Sequence, residues 1–125
     1  MKTPSVADVA NRWIEKWAAA HGPDGESDEF DLDFELPHRE PRLCLDAILH
    51  VLSAIPASPA DRHFQLLAAG PLEDLLWHHG SEYIDEIETL ARQRPEFRLL
   101  LNGVWTTSIA RDVVERLEKY RNAQW

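Results

Sequence analysis

Glu73, Asp74 and His79 stand close together in the stretch Leu66–Gly80, L-L-A-A-G-P-L-E-D-L-L-W-H-H-G. Two carboxylates and an imidazole are the groups that general acid–base chemistry uses. An enzyme built on them would need a deep pocket with converging polar groups. Each also has a reading in the fold alone. Glu73 and Asp74 fall in the first turn of a helix, where the helix dipole favours negative charge. His79 suits a helix C-terminus, where it meets the dipole and the last carbonyls.

Other chemistry finds less support. His78 and His79 are adjacent, so on a helix they point about 100° apart and do not grip one ion together. His-x-x-x-His spacing is absent, and no metal or other cofactor is expected. Asp31, Asp33 and Glu35 alternate as calcium ligands can, but the Asp-x-Asp-x-Asp-Gly loop is missing. There is no Gly-x-Ser-x-Gly and no Gly-rich phosphate loop. Ser81 reads as a helix cap. The single cysteine, Cys44, lies in an apolar helical pattern and reads as a small core residue rather than a nucleophile.

The layout of charge is more informative. The 125 residues carry a net charge of −9. One acidic block holds Asp24, Glu26, Asp28, Glu29, Asp31, Asp33 and Glu35 with no Lys or Arg, and residues 71–91 hold Glu73, Asp74, Glu82, Asp85, Glu86 and Glu88, again with none. Solvated helix faces are the plain reading. The sharper one is a docking surface for a basic partner, formed by Asp28, Glu29, Asp31 and Asp33 or by Glu82, Asp85, Glu86 and Glu88. Phosphates require a basic patch, so direct nucleic-acid binding is disfavoured.

These groups must be positioned by helices. An apolar fraction of 44% and five Trp describe a folded chain, and the length fits one domain, residues 1–125. No apolar run follows Met1-Lys2 and none spans a membrane, so a cytoplasmic protein is expected. Ser5 caps a first helix with Val6, Val9, Ala10, Trp13, Ile14 and Trp17 on one stripe, stopped by His21-Gly22-Pro23. Residues 24–36 form an acidic connection, either extended or a short helix, with Phe30 and Phe34 inward. A strong helix runs from about Pro41 to Pro56 and a second, capped by Ser58, to Gly70. Gly70 closes that helix, Pro71 opens a short one, and Gly80 closes it in turn. Ser81 caps the next helix, Pro95 begins another that ends at Gly103, Val104 and Trp105 anchor a loop, and Thr107 or Ser108 caps the last. Arg121–Trp125 is expected to fray. The fold class is all-α: about seven helices in antiparallel hairpins, HEAT-like or an irregular bundle.

The run Ala69-Gly70-Pro71-Leu72-Glu73-Asp74-Leu75-Leu76, then His79-Gly80, Leu90-Ala91-Arg92, Pro95, Phe97-Arg98 and Gly103-Val104-Trp105, resembles a family of small bacterial proteins known only as a domain of unknown function. The likeness covers residues 43–118. It implies a helical fold and a bacterial cytosolic source, brings no activity, and marks Glu73, Asp74, His79 and Trp105 as motif positions. The leading functional expectation is a non-enzymatic protein-interaction module, an adaptor or an immunity or inhibitor protein for a basic partner. The alternatives are a structural subunit of a homo-oligomer or complex, and a small enzyme around Glu73, Asp74 and His79.

Overall fold

A computed structural model describes residues 3–18, 30–33, 35–121 and 125. The stop at His21-Gly22-Pro23 and the inward placing of Phe34 lie outside the described residues. The protein is all-α. The helices are α1 (Val6–Ala18), α2 (Leu36–Arg39), α3 (Pro41–Ala54), α4 (Arg62–Leu67), α5 (Glu73–Gln93), α6 (Pro95–Leu101) and α7 (Arg111–Leu117). A π-turn, Ala68–Leu72, joins α4 to α5, and a 3₁₀ turn, Glu118–Tyr120, follows α7. Among the described residues there is no strand, and no helix is long and apolar enough to cross a membrane.

α3 and α5 form the centre. α1 and α2 lie against α3, while α2, α6 and α7 lie against α5. The stripe on α1 buries Val9, Ala10 and Trp13, and Ser5 caps the helix by accepting the Asp8 N–H at 3.1 Å. On α3 the inward residues are Cys44, Leu45, Ala47, Ile48, Val51 and Leu52. Burial pushes the Cys44 thiol far above its ordinary range, in keeping with an inert core position. Leu32 before α2 and Leu36 at its start fill the core, and Phe30 packs partly buried against it.

Several boundaries differ from the local expectation. α4 is capped by Asp61, which accepts the Phe64 N–H at 3.1 Å, and Ser58 instead closes the preceding turn on Ala60. Asp61 holds extended backbone and a short acceptor at the position where an N-cap needs both. α7 begins after Ala110, without Thr107 or Ser108 as a side-chain cap.

The larger departure is at Gly70 and Gly80. Neither ends a helix. The chain stays helical from Arg62 to Gln93, through the π-turn and a kink at His79 (φ −136°, ψ 21°). Proline lacks an N–H, and its ring crowds the carbonyl four residues back. A π-turn widens the ladder at that place, so Pro71 is taken up without breaking the path. Gly80 serves packing: a Cβ there would lie 3.2 Å from Val113 Cγ1, so its bareness lets α7 approach α5. Ser81 therefore lies inside the helical run rather than capping it.

Arg121 and Trp125 are also held, while residues 122–124 lie outside the described residues. Trp125 donates its indole N–H to Leu99 O at 2.8 Å and stacks on Phe64 at 5.3 Å between centroids. Arg121 donates to Val104 O at 2.9 Å. Both residues were expected to fray, and packing against α4 and α6 overrides that expectation. A side chain at Gly103 would collide with the Trp125 ring. Gly103→Ala should therefore cost roughly 1–3 kcal/mol in the native chain and far less in a chain already carrying Trp125→Ala. Equal costs in the two backgrounds, measured by urea unfolding, would refute the contact.

Candidate functional site

Trp13, Lys16 and Trp17 share one face of α1 because they are spaced by three and four residues. That face meets the turn carrying Asp31 and Asp33. Asp33 accepts the Trp13 indole N–H at 2.8 Å, the Trp17 indole N–H at 2.7 Å and the Lys16 ammonium at 2.9 Å. Asp31 accepts Lys16 at 3.0 Å and the backbone N–H of Asp33 at 2.9 Å. Burial works to lower the Lys16 pKa, but the hydrogen bonds and charges of Asp33 and Asp31 outweigh it and hold the ammonium above its usual range. Lys16 and Arg62 also lie 5.5 and 5.6 Å from the Trp17 ring centroid.

The π-turn touches this cluster from the other side. A Cβ at Gly70 would stand 3.3 Å from Asp33 Oδ1, so a bare backbone lets the carboxylate come close. Just beyond, in the first turn of α5, Asp74 is half-buried. Burial, then the charges of Glu73 and Asp33, push its carboxyl up to about 6. Burial and the neighbouring carboxylates thus make Asp74 easier to protonate than an ordinary aspartate. Its neighbour Glu73 accepts the backbone N–H of Trp105 at 2.9 Å, which ties the α6–α7 loop to the start of α5.

The outer side of α5 is a second region. Trp77, His78, Ser81, Glu82 and Asp85 are all exposed. His78 stacks on Trp77 at 4.5 Å and packs on His38 at 4.6 Å between centroids. Burial, His38 and His79 lower the His78 pKa. His79 binds Glu82 through Nδ1 at 2.9 Å and donates from Nε2 to His38 O at 2.6 Å. Two acceptors on one ring favour imidazolium, and the Glu82 hydrogen bond raises the His79 pKa despite burial. Among the described residues, Trp77 and Trp105 are the exposed large apolar side chains, at 56% and 62%. Of the two residues expected to anchor this loop, Val104 is buried, whereas Trp105 is exposed and its backbone N–H binds Glu73.

The sequence-marked residues are therefore dispersed. Glu73 and Asp74 adjoin the Asp33 cluster, whereas His79 turns toward His38. Asp31 and Asp33 are mostly buried and paired with Lys16. Asp28 and Glu29 lie outside the described residues. On α5, Glu86 pairs with Arg42 at 2.6 Å, and Glu88 is buried against Arg116 at 2.9 Å. Glu82 (66%) and Asp85 (88%) stay exposed, although Asp85 also meets Arg116 at 2.5 Å. Among the described residues no group of three or more His, Cys, Asp or Glu is placed to hold a metal ion. Local reading passed over Lys16, Trp13 and Trp17 as partners of Asp33. Their only signal was the shared helix face, since the partners stand 16 to 20 residues away.

Two outcomes test the cluster. Asp33→Ala strands two buried indole donors and an ammonium, and should cost about 2–4 kcal/mol in urea unfolding. Asp33→Asn should cost less. The second test concerns pH. Asp74 ordinarily titrates near 3.8 but does so at about 6 in the folded chain. The folded state therefore holds a proton that the unfolded state releases. Stability from this group is full below the unfolded value and is lost as pH rises through about 6. The melting temperature of Asp74→Asn should overtake that of the native chain more at about pH 8 than at about pH 5. A constant difference would refute this assignment.

The chain belongs to the family of unknown function DUF6869, whose model matches residues 22–125. The Asp31, Asp33, Glu73 and Asp74 side of the cluster falls in the matched span, and α1 precedes it. No curated protein and no solved structure matches the chain.

Proposed function

We propose that this member of the family is a non-enzymatic interaction module, an adaptor or an immunity or inhibitor protein, that binds a basic protein in the bacterial cytoplasm. The observation that carries this reading is the outer face of α5. It presents Trp77, Glu82 and Asp85 to solvent within residues 71–91, a segment without Lys or Arg. Exposed aromatic side chains beside solvent-facing carboxylates suit the centre and rim of an interface. The acids buried in ion pairs contribute little to capture, because a partner cannot reach them, whereas Glu82 and Asp85 stay exposed beside His79 and Arg116. That narrows the docking residues from the whole acidic block to Glu82 and Asp85, with Glu86 at the edge.

An enzymatic reading centred on Glu73, Asp74 and His79 is weaker, because His79 turns away from the two carboxylates and binds Glu82 and His38 instead. The family resemblance and the free cysteine support the proposed bacterial and cytoplasmic setting.

Capture from lysate of the source organism tests the reading at low salt and at about 0.5 M salt, where charge attraction is screened within a few ångströms. Native protein, Glu82→Lys/Asp85→Lys and the control Glu15→Lys/Glu115→Lys are compared. The expected result is a basic protein held at low salt, released at high salt, and lost with the α5 variant alone. Equal retention by all three proteins would sink the proposal.

A further inference from the structure

Trp77 and Trp105 are brought to the same carboxylate by different means. Trp77 lies one helical turn beyond Glu73 on α5, on the same side of the helix. Trp105 is tied to Glu73 by its backbone N–H, which occupies Oε1 and leaves Oε2 for another donor. Both tryptophans are exposed, and both are linked to this carboxylate, one by helical spacing and the other by its backbone. His78 covers one face of Trp77 by stacking at 4.5 Å and 27°, which holds the indole in place. We propose that Trp77, Trp105 and Glu73 form a receptor for an arginine side chain of the partner, with the guanidinium stacked on the indoles and hydrogen-bonded to Glu73. This rests on the reading of a basic protein partner given above and names the contact that would secure it.

The same chemistry is already used inside the chain. Arg42 lies 5.6 Å from the Tyr83 ring centroid while its guanidinium reaches Glu86 at 2.6 and 2.8 Å and Asp46 at 2.7 Å. An aromatic face with carboxylates at its edge therefore holds a guanidinium on this very helix. Arg62 and Lys16 cover Trp17 in a similar way. Trp77 and Trp105 keep more than half of their surface open. Charge favours a cationic occupant: Asp74 adjoins Glu73, and Glu82 and Asp85 lie farther along the helix. Arginine suits the place better than lysine, because its planar fork stacks on a ring and binds a carboxylate at once, and it is less strongly hydrated.

The test uses the full chain and a short glycine–serine peptide bearing arginines, with lysine and citrulline counterparts. Binding is followed by tryptophan fluorescence and calorimetry, and native-like folding of each variant by circular dichroism. Arginine should bind saturably, lysine several-fold more weakly, and citrulline, which keeps the shape without the charge, not measurably. Trp77→Ala and Trp105→Ala should each weaken arginine binding by about fivefold. Glu73→Gln, which keeps an acceptor for the Trp105 N–H, should weaken it too, and Trp77→Phe should recover part of the loss. Equal affinity for all three peptides would overturn the proposal. Unchanged affinity in both Trp variants, with loss in Glu82→Lys/Asp85→Lys, would overturn the arginine receptor and leave the acidic docking face standing. No effect of either set would remove both. Self-association of the native chain that Trp77→Ala and Trp105→Ala abolish would overturn it as well, by assigning the face to a second copy.

Discussion

Asp33 gathers two indole N–H groups and an ammonium from one face of α1 and sits against the bare backbone of Gly70. A carboxylate so far removed from water is tolerable only when its acceptor sites are filled by well-placed donors. The three donors come from residues that a helix places side by side, so the pairing depends on α1 being intact. In turn the pairing fixes how the turn before α2 lies across the molecule. Leu32 and Leu36 enter the core on either side of that anchor. The N-terminal helix, the acidic turn and the start of α5 are thereby joined by one charged centre.

The helical run from Arg62 to Gln93 is the second organising feature, and it meets that centre at the π-turn. A glycine and a proline in sequence would ordinarily stop a helix. Here the surrounding elements make continuation the better solution. Leu67, Ala68, Leu72, Leu75 and Leu76 are all buried on this run, and ending it at Gly70 would withdraw apolar surface from the core. The π-turn keeps the run unbroken at the cost of a local change in hydrogen bonding. The kink at His79 works alongside the contact of Gly80 with Val113, so α5 bends where α7 comes closest. The two glycines allow close approach, of a carboxylate in one case and of a helix in the other.

Electrostatics separates the acids into two groups with different physical roles. Asp31, Asp33, Glu86 and Glu88 are matched by Lys16, Arg42 and Arg116 and hold elements together. Glu82 and Asp85 meet His79 and Arg116 but stay largely exposed, so they add negative potential to the surface of α5. Between these groups, Glu73 has one oxygen engaged by the backbone of the exposed Trp105 and lies one helical turn from the exposed Trp77. A contact face built this way has rigid supports, since α5 is packed on α2, α6 and α7.

What the sequence determined by itself is the helical character, most helix-forming stretches and nearly the whole core. Apolar residues at three- and four-residue steps on α1, α3 and α7 are a local property that marks an amphipathic helix. Caps were legible where one residue decided them, as at Ser5, and misread where two candidates competed, as at Ser58 and Asp61. Only the tertiary structure decided which carboxylates are internal, why Gly70 and Gly80 are glycines, and that Trp125 is held. It also decided that Glu73 joins Trp105 while His79 joins His38. The physical reason is range. Helix periodicity acts over four residues, whereas Lys16 meets Asp33 across 17, Glu73 meets Trp105 across 32, and Arg42 meets Glu86 across 44. Such partners are chosen by the packing of helices in space, and no spacing along the chain records the choice.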